Sequence, residues 1–354
     1  PLAGVPSKGA DFRNIRAAGT DRTFEVTWTT GAPPSPGGRF DGLAAVSVRR
    51  HGAEAEAGAS RVRGVRSTVL GDPGTVVLLG QTPQVRPARE DTAKLDDFWT
   101  PTLDVRREAA ARSETEFIAV HEPFVGRPSI RSVTACQPES GAFPAGASAL
   151  RVEHAEGVDY LIAAKQPQAL TFILSDGRTV RFHGVQAVLR FAAAPGSALR
   201  WVYLYNTDRL QIGDLVLTTP SPFTARLLAV RRDPAKSSYA FVVVNHRTPI
   251  RLAGSPLLVI HPDGTTHGYT VTAVRKSGAN LSLALPDDPG FVLRGNATEF
   301  LAFPANHIAG PNRVRIDAIS LIRFGPSGVT VTGNAPVTYS DGNSTHIVRP
   351  GALP

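Results

Sequence analysis

A chain of 354 residues with 42% hydrophobic and 19% charged residues has ample material for one large or two medium domains with packed cores, which excludes a disordered polymer. Its apolar runs fall well short of the roughly 18 residues of a membrane helix, so no membrane partner is expected. The formal net charge of +8 rests on 33 Arg and only 5 Lys, a surface suited to polyanions, although a GC-rich genome produces the same bias.

The chain opens on Pro1, has no basic-then-apolar leader and contains no Met, which suggests a processed product or part of a longer polypeptide. "TFEVTWTT" (23–30) alternates Phe24, Val26 and Trp28 against Glu25 and Thr27, the period of a half-buried strand. "APPSPGG" (32–38) and "EAEAGAS" (54–60) read as exposed loops. Helical periodicity is nearly absent, its best candidate being one or two turns around "REDTAKLDDFW" (89–99). That candidate lies in "QVRPAREDTAKLDDFWTP" (84–101), where Arg86 and Arg89 could grip a sugar acid and Trp99 could stack on a ring. The competing reading is a surface loop held by its own ion pairs, each contributing about 0–1 kcal/mol, with Trp99 turned inward.

Gly, Pro, Ser and Ala cluster in "CQPESGAFPAGAS" (136–148), which marks a linker and divides the chain into β domains 1–137 and 138–354. The formal charge is 18 − 16 = +2 before this point and 20 − 14 = +6 from residue 138 onward. "ALTFILSDGRTVRFHG" (169–184) reads as a hairpin about Asp176-Gly177, and "SPLLVIHPDGTTHGYTVTAV" (255–274) as another about Asp263-Gly264. Between them, "LRWVYLYNTDRL" (199–210) places Trp201, Tyr203 and Tyr205 on one face, and "NLSLALPDDPG" (280–290) alternates Leu281, Leu283 and Leu285. The expected fold is all-β, with antiparallel β-sandwich layers in two β domains and almost no helix.

No G-x-S-x-G, P-loop, G-x-G-x-x-G or H-E-x-x-H motif occurs. In "FIAVHEPF" (117–124), Pro123 excludes the zincin pattern, and strand alternation directs His121 and Glu122 to opposite faces. His121 is thus a weak catalytic candidate rather than half of a dyad. His261 and His267 could meet across hairpin arms, although solvated turn residues are the commoner case, and no metal site is assigned. The lone Cys136 reads as a small core residue. The sequons at Asn280, Asn296 and Asn343 matter only in a eukaryotic secretory pathway. The aromatic residues sit in core-like alternation rather than among arginines, which argues against a nucleic-acid partner.

"FEVTW" (24–28), "DGLAAVSVRR" (41–50) and "FIAVHEPFVG" (117–126), in that order, resemble the C-terminal β region of heparinase II/III-like polysaccharide lyases. "ALRWVYLYNTDRLQIGD" (198–214) and "LPDDPGF" (285–291) are similar to the tail of such proteins. The resemblance implies β-elimination on uronic-acid-containing polysaccharide, a secreted or periplasmic location, and zinc or calcium in the complete enzyme. It also implies catalytic Tyr and His residues on an N-terminal α/α toroid, for which this sequence has no counterpart. The expected function is therefore the β-sandwich portion of such a lyase, inactive alone and partnered by a helical chain or segment. The alternative is a non-catalytic acidic-glycan-binding or structural β-sandwich protein.

Overall fold

The computed structural model describes residues 15–17, 23–27, 43–50, 63–70, 75–83, 99–107, 115–125, 127–193, 198–303 and 307–351. The chain divides into two compact units, Pro1–Ala135 with Val152–Ala155, and Cys136–Arg151 with Glu156–Pro354. Strands are the dominant regular structure of the described residues, whose helical content is one 3-10 turn, Pro234–Lys236. None of their helices is long and apolar enough to cross a membrane. The loops read at 32–38 and 54–60, and most of the helical candidate at 89–99, lie outside the described residues.

In the first unit the strands are β1 Ile15–Ala17, β2 Thr23–Thr27, β3 Leu43–Arg50, β4 Arg63–Leu70, β5 Thr75–Pro83, β6 Trp99–Arg107, β7 Ile118–Val125 and β8 Ile130–Ala135. One sheet runs β1-β2-β3-β4-β7, and β5 pairs with β6. The β2–β3 pair is parallel, whereas β1–β2, β3–β4, β4–β7 and β5–β6 are antiparallel. The antiparallel expectation thus admits one exception among these pairs, with residues 28–42 connecting the two parallel strands.

The second unit begins with β9 Ala147–His154, whose end goes with the first unit, followed by β10 Gly157–Ile173, β11 Thr179–Phe191, β12 Leu199–Ile212, β13 Leu215–Thr218, β14 Phe223–Asp233 and β15 Ser238–Val244. Next come β16 Pro256–Ile260, β17 Thr266–Thr270, β18 Ala273–Ser277, β19 Asn280–Leu285, β20 Phe291–Arg294, β21 Ala297–Phe300 and β22 His307–Ala309. The last five are β23 Arg313–Ile316, β24 Ile319–Gly325, β25 Gly328–Gly333, β26 Val337–Ser340 and β27 Thr345–Val348. Both expected hairpins form, β10–β11 and β16–β17, with Gly177 at φ +87° and Gly264 at φ +89° in their turns. Each preceding aspartate accepts a backbone N–H two residues on, from Arg178 at 3.1 Å and Thr265 at 2.9 Å.

Two hydrophobic cores form within this unit. The larger sheet, β27-β26-β13-β12-β11-β10-β9 with β24 and β25 added beside β12, encloses Ile162, Phe172, Leu189, Val202, Leu204, Leu210 and Ile322. Full burial of such side chains stabilises by about 1.5–3 kcal/mol each. A sheet running β17-β16-β23-β14-β15-β19-β18 and the small sheet β20-β21-β22 supply the second core, around Phe241, Leu257, Leu283, Phe291 and Ile316.

β12 passes between two sets of partners. Its first half, Trp201–Tyr205, pairs with β24, and its second half, Arg209–Ile212, pairs with β13. At the fork, Gly184 faces Thr207 while His183 faces Arg209, so Asp208 is a bulged extra residue. Gly184 is needed there, since a Cβ would lie 2.5 Å from the Thr207 Cα and 2.8 Å from the Asn206 carbonyl oxygen. Asn206 takes φ +46°, a left-handed conformation that Asn tolerates.

A buried polar junction links the two cores where β23 gives way to β24. The Asp317 carboxylate accepts from Tyr205 Oη at 2.6 Å, Asn206 Nδ2 at 2.9 Å and Arg315 Nε at 2.5 Å. Burial, followed by the bond to Asp317, pushes the Tyr205 hydroxyl up to about 12. Asn334 donates to the Asp317 carbonyl at 2.9 Å and to Ser255 Oγ at 3.1 Å, and accepts from the Ile319 N–H at 2.8 Å. Removing one partner leaves buried donors unpaired. Asp317→Ala is accordingly expected to cost about 3 kcal/mol, measured as a lower urea-unfolding midpoint with little change in m-value.

Candidate functional site

The His121–Glu122 pair resolves as its strand demands. On β7, Glu122 is buried and His121 exposed, and the register with β4 places Arg66 opposite Glu122 and Ser67 opposite His121. Glu122 is the anchor of the local structure. It accepts from Arg66 Nη2 at 2.7 Å, Arg66 Nε at 3.1 Å, the Ile130 N–H at 2.9 Å and the Ser129 hydroxyl at 2.9 Å, with the Ser129 N–H also bonded to it. Burial pushes the carboxyl up, but the bonds from Ile130 and Ser129 and the Arg66 charge outweigh it and hold the group below its ordinary 4.5. His121 Nδ1 lies 2.8 Å from Ser67 Oγ, on the other face. Arg86 and Arg89 lie outside the described residues, and Trp99 opens β6 opposite Pro83.

His261 and His267 do meet across their hairpin, with Nε2 and Nδ1 2.9 Å apart. His261 is not the solvated turn residue that its position suggested. It is 2% exposed, its Nδ1 is 2.6 Å from Asn312 Oδ1, and its ring lies against Phe291 and Phe300. Burial chiefly, with the His267 charge, lowers its pKa, so the neutral form is the one the core holds. Among the described residues no cluster of three or more His, Cys, Asp or Glu is placed to hold a metal ion. Cys136 is buried, and burial pushes its thiol up to about 12, which leaves it chemically inert.

The most developed surface lies on the outer face of the larger sheet. Val202 and Leu204 are fully or almost fully buried, so Trp201, Tyr203 and Tyr205 project from the opposite side, where all three are half-buried. Pairing then assembles a row of side chains across strands. Trp201 faces Arg190 of β11 and Arg323 of β24, while Tyr203 faces Val188 and Leu321. Val188, Trp201, Tyr203, Leu321 and Arg323 line an open groove of about 420 Å3.

The two arginines differ in their partners. Asp159 of β10 grips Arg190 through two hydrogen bonds of 2.6 Å, and the guanidinium carbon sits 4.9 Å above the Trp201 ring. The bond to Asp159 raises the arginine's pKa further above its ordinary 12.5. Arg323 is exposed and has no ion-pair partner among the described residues, so it is available to an incoming anion. The site thus offers an aromatic face, aliphatic walls and one unpaired cation, which suits a ligand with an apolar ring face and an acidic substituent.

The alternation of Trp201, Tyr203 and Tyr205 is plain in the sequence, but reading it as core-like was wrong, because the core took the other face. Val188 and Arg190 could have been matched to Tyr203 and Trp201 from the β11–β12 hairpin. Arg323 could not, since β24 is more than 100 residues away along the chain. Comparison with protein-family models, curated protein sequences and solved structures finds no match to this chain.

The Glu122 clamp generates a pH-dependent expectation. A carboxyl depressed in the folded state contributes stability that is complete above the ordinary value of 4.5 and is lost as pH falls through the lower folded value. Glu122→Gln should therefore lose about 2 kcal/mol at neutral pH. It should also show a flatter acid limb than the wild type below pH 4.5 in urea-unfolding curves taken across pH.

Proposed function

We propose that this chain binds acidic polysaccharide on the outer face of its larger sheet. A sugar ring would lie against Trp201 and the apolar wall of Val188, Tyr203 and Leu321. Its carboxylate or sulfate would pair with Arg323, while Arg190, held by Asp159, fixes the indole. The observation that carries this reading is the Arg190–Trp201–Arg323 row bordering an open groove. The positive balance of residues 138–354 adds long-range attraction for a polyanion.

This function suits the β-sandwich portion of a heparinase II/III-like lyase, which the short motifs at 24–28, 41–50 and 117–126 resemble, and equally a free-standing binding module. In the first setting the chain holds uronate polysaccharide for β-elimination while a helical α/α toroid, upstream or on a separate chain, supplies the base. His121, tied to Ser67, stays a weak catalytic candidate, and Arg86, Arg89 and Trp99 remain further candidates for substrate contact. Any zinc or calcium belongs to the complete enzyme, and a secreted or periplasmic location accords with the substrate. The isolated chain is then expected to bind glycan without producing the ultraviolet absorbance of an unsaturated uronate.

Arginine–anion contacts at an exposed site are screened by salt. Calorimetric titration with heparin and with alginate should show binding that weakens as salt rises. Trp201→Ala and Arg323→Ala should each weaken it by about tenfold, or roughly 1.4 kcal/mol. Affinity unchanged in both variants would refute the reading. So would stronger binding of single-stranded nucleic acid, which also stacks on aromatic side chains beside arginines.

A further inference from the structure

We propose that the sheet of the second core carries a binding site for a sulfate or phosphate group, formed by Arg226, Arg313 and Asn312 where β14 and β23 part. The site shares no residue with the groove on the larger sheet and does not depend on it.

Direct pairing sets the geometry. Phe223–Arg226 of β14 runs antiparallel to Arg313–Ile316 of β23 without a register shift, and Arg226 stands opposite Arg313. Residues directly opposite in such a pair share a face, with Cβ atoms about 4.5–5.5 Å apart. Their chain neighbours Ala225, Leu227, Asn312 and Val314 are buried, whereas both arginines are exposed. On the far side of β23, Arg313 faces the aliphatic Ile260 of β16.

Like charges directly opposite each other repel, so this pair calls for a counter-ion. The acids of the surrounding strands are committed elsewhere. Asp317 holds Arg315, two residues along the same strand, at 2.5 Å, and Glu299 pairs with Arg294 at 3.4 Å. The guanidinium groups of Arg226 and Arg313 have neither an ion pair nor a hydrogen bond among the described residues.

A preformed pocket adjoins the pair. Beyond Arg226, the Leu227 N–H donates to the Asn312 carbonyl at 3.0 Å, and β14 then bulges at Leu228. The Gly310 N–H donates to the Asn296 carbonyl at 2.7 Å, which brings the β20–β21 turn to the same place. Arg226, Leu228, Asn296, Gly310 and Asn312 are among the residues lining a pocket of about 60 Å3 there. Asn312 is only 2% exposed, and its Oδ1 is taken from the core side, 2.6 Å from His261 Nδ1 and 3.0 Å from Thr298 Oγ1. Its Nδ2 makes no hydrogen bond among the described residues and is not sealed from solvent, so an amide donor is left for the pocket.

The donor set selects the ligand. The pocket admits a group of a few atoms, far smaller than the organic ligands that fill ordinary binding clefts. Two guanidinium forks and an amide present more N–H donors than the two oxygens of one carboxylate can accept. A phosphate monoester offers three strong acceptor oxygens, and a sulfate group has the same tetrahedral shape. Arginine engages such groups through parallel hydrogen bonds.

The test is thermal unfolding and calorimetric titration of the full chain at constant ionic strength, with chloride exchanged for inorganic phosphate or sulfate. Both ions also stabilise proteins generally, and Arg226→Gln/Arg313→Gln sets that baseline. The wild-type midpoint should rise by several degrees more than the variant's. Phosphate affinity should fall by about tenfold in Arg226→Gln/Arg313→Gln, and by less in Arg226→Lys/Arg313→Lys, which keeps the charge without the fork. Glucose 6-phosphate and glucose 6-sulfate, titrated in parallel, separate the two sources of the group. Binding of the esters assigns the site to a substituent on a larger molecule, and binding of the inorganic ions alone assigns it to the free ion. Equal midpoint rises and equal affinities in the wild type and Arg226→Gln/Arg313→Gln would overturn the site.

Discussion

The burial of one side of β12 governs what the other side can be. Val202, Leu204, Leu210 and Ile212 fill the core of the larger sheet, and residues of a strand alternate between faces. Trp201, Tyr203 and Tyr205 are thereby committed to the outer surface. Burying them would require a one-residue slip in register, which would expose those four apolar side chains, each worth about 1.5–3 kcal/mol when buried. The outer face is thus a consequence of the core, and its aromatic residues are held in place by side chains that never touch a ligand.

The fork at Asn206–Asp208 hands β12 from one partner strand to the other. β24 ends its pairing with β12 where β13 begins, and a sheet interrupted there would expose backbone groups. Polar bonds close the gap: the Asn206 N–H donates to the Ala318 carbonyl, and Asn206 Oδ1 accepts from the Ala318 N–H. Thr207 and Thr219 hydroxyls take further backbone carbonyls, those of Gln186 and Thr207. The same residues also connect the two cores through Asp317.

Much of this fold was legible in the sequence, because period-two alternation and Asp-Gly turns are local signals. They gave the all-β class, both hairpins and the shared face of Trp201, Tyr203 and Tyr205. Strand geometry likewise separated Glu122 from His121, with the carboxylate going into an arginine clamp. Which face of β12 met the core was not legible, since Trp, Tyr, Val and Leu are all apolar enough for burial. The Arg323 contribution depends on pairing between distant strands, and the approach of His183 and Asp208 depends on a bulge that no local pattern marks. The burial of His261 was missed because its hairpin resembled a solvated turn, while Asn312, Phe291 and Phe300 arrive from other strands.

The central claim is that Trp201 lies at the centre of a surface that receives acidic sugars. Its indole N–H resonance can be assigned by difference with Trp201→Phe and followed during titration with an oligouronate, with the signal of Trp28 as internal reference. The account predicts a saturable shift of the Trp201 signal that reverses when salt is added. A Trp201 signal that stays fixed while the oligouronate demonstrably binds would place the ligand elsewhere and contradict it.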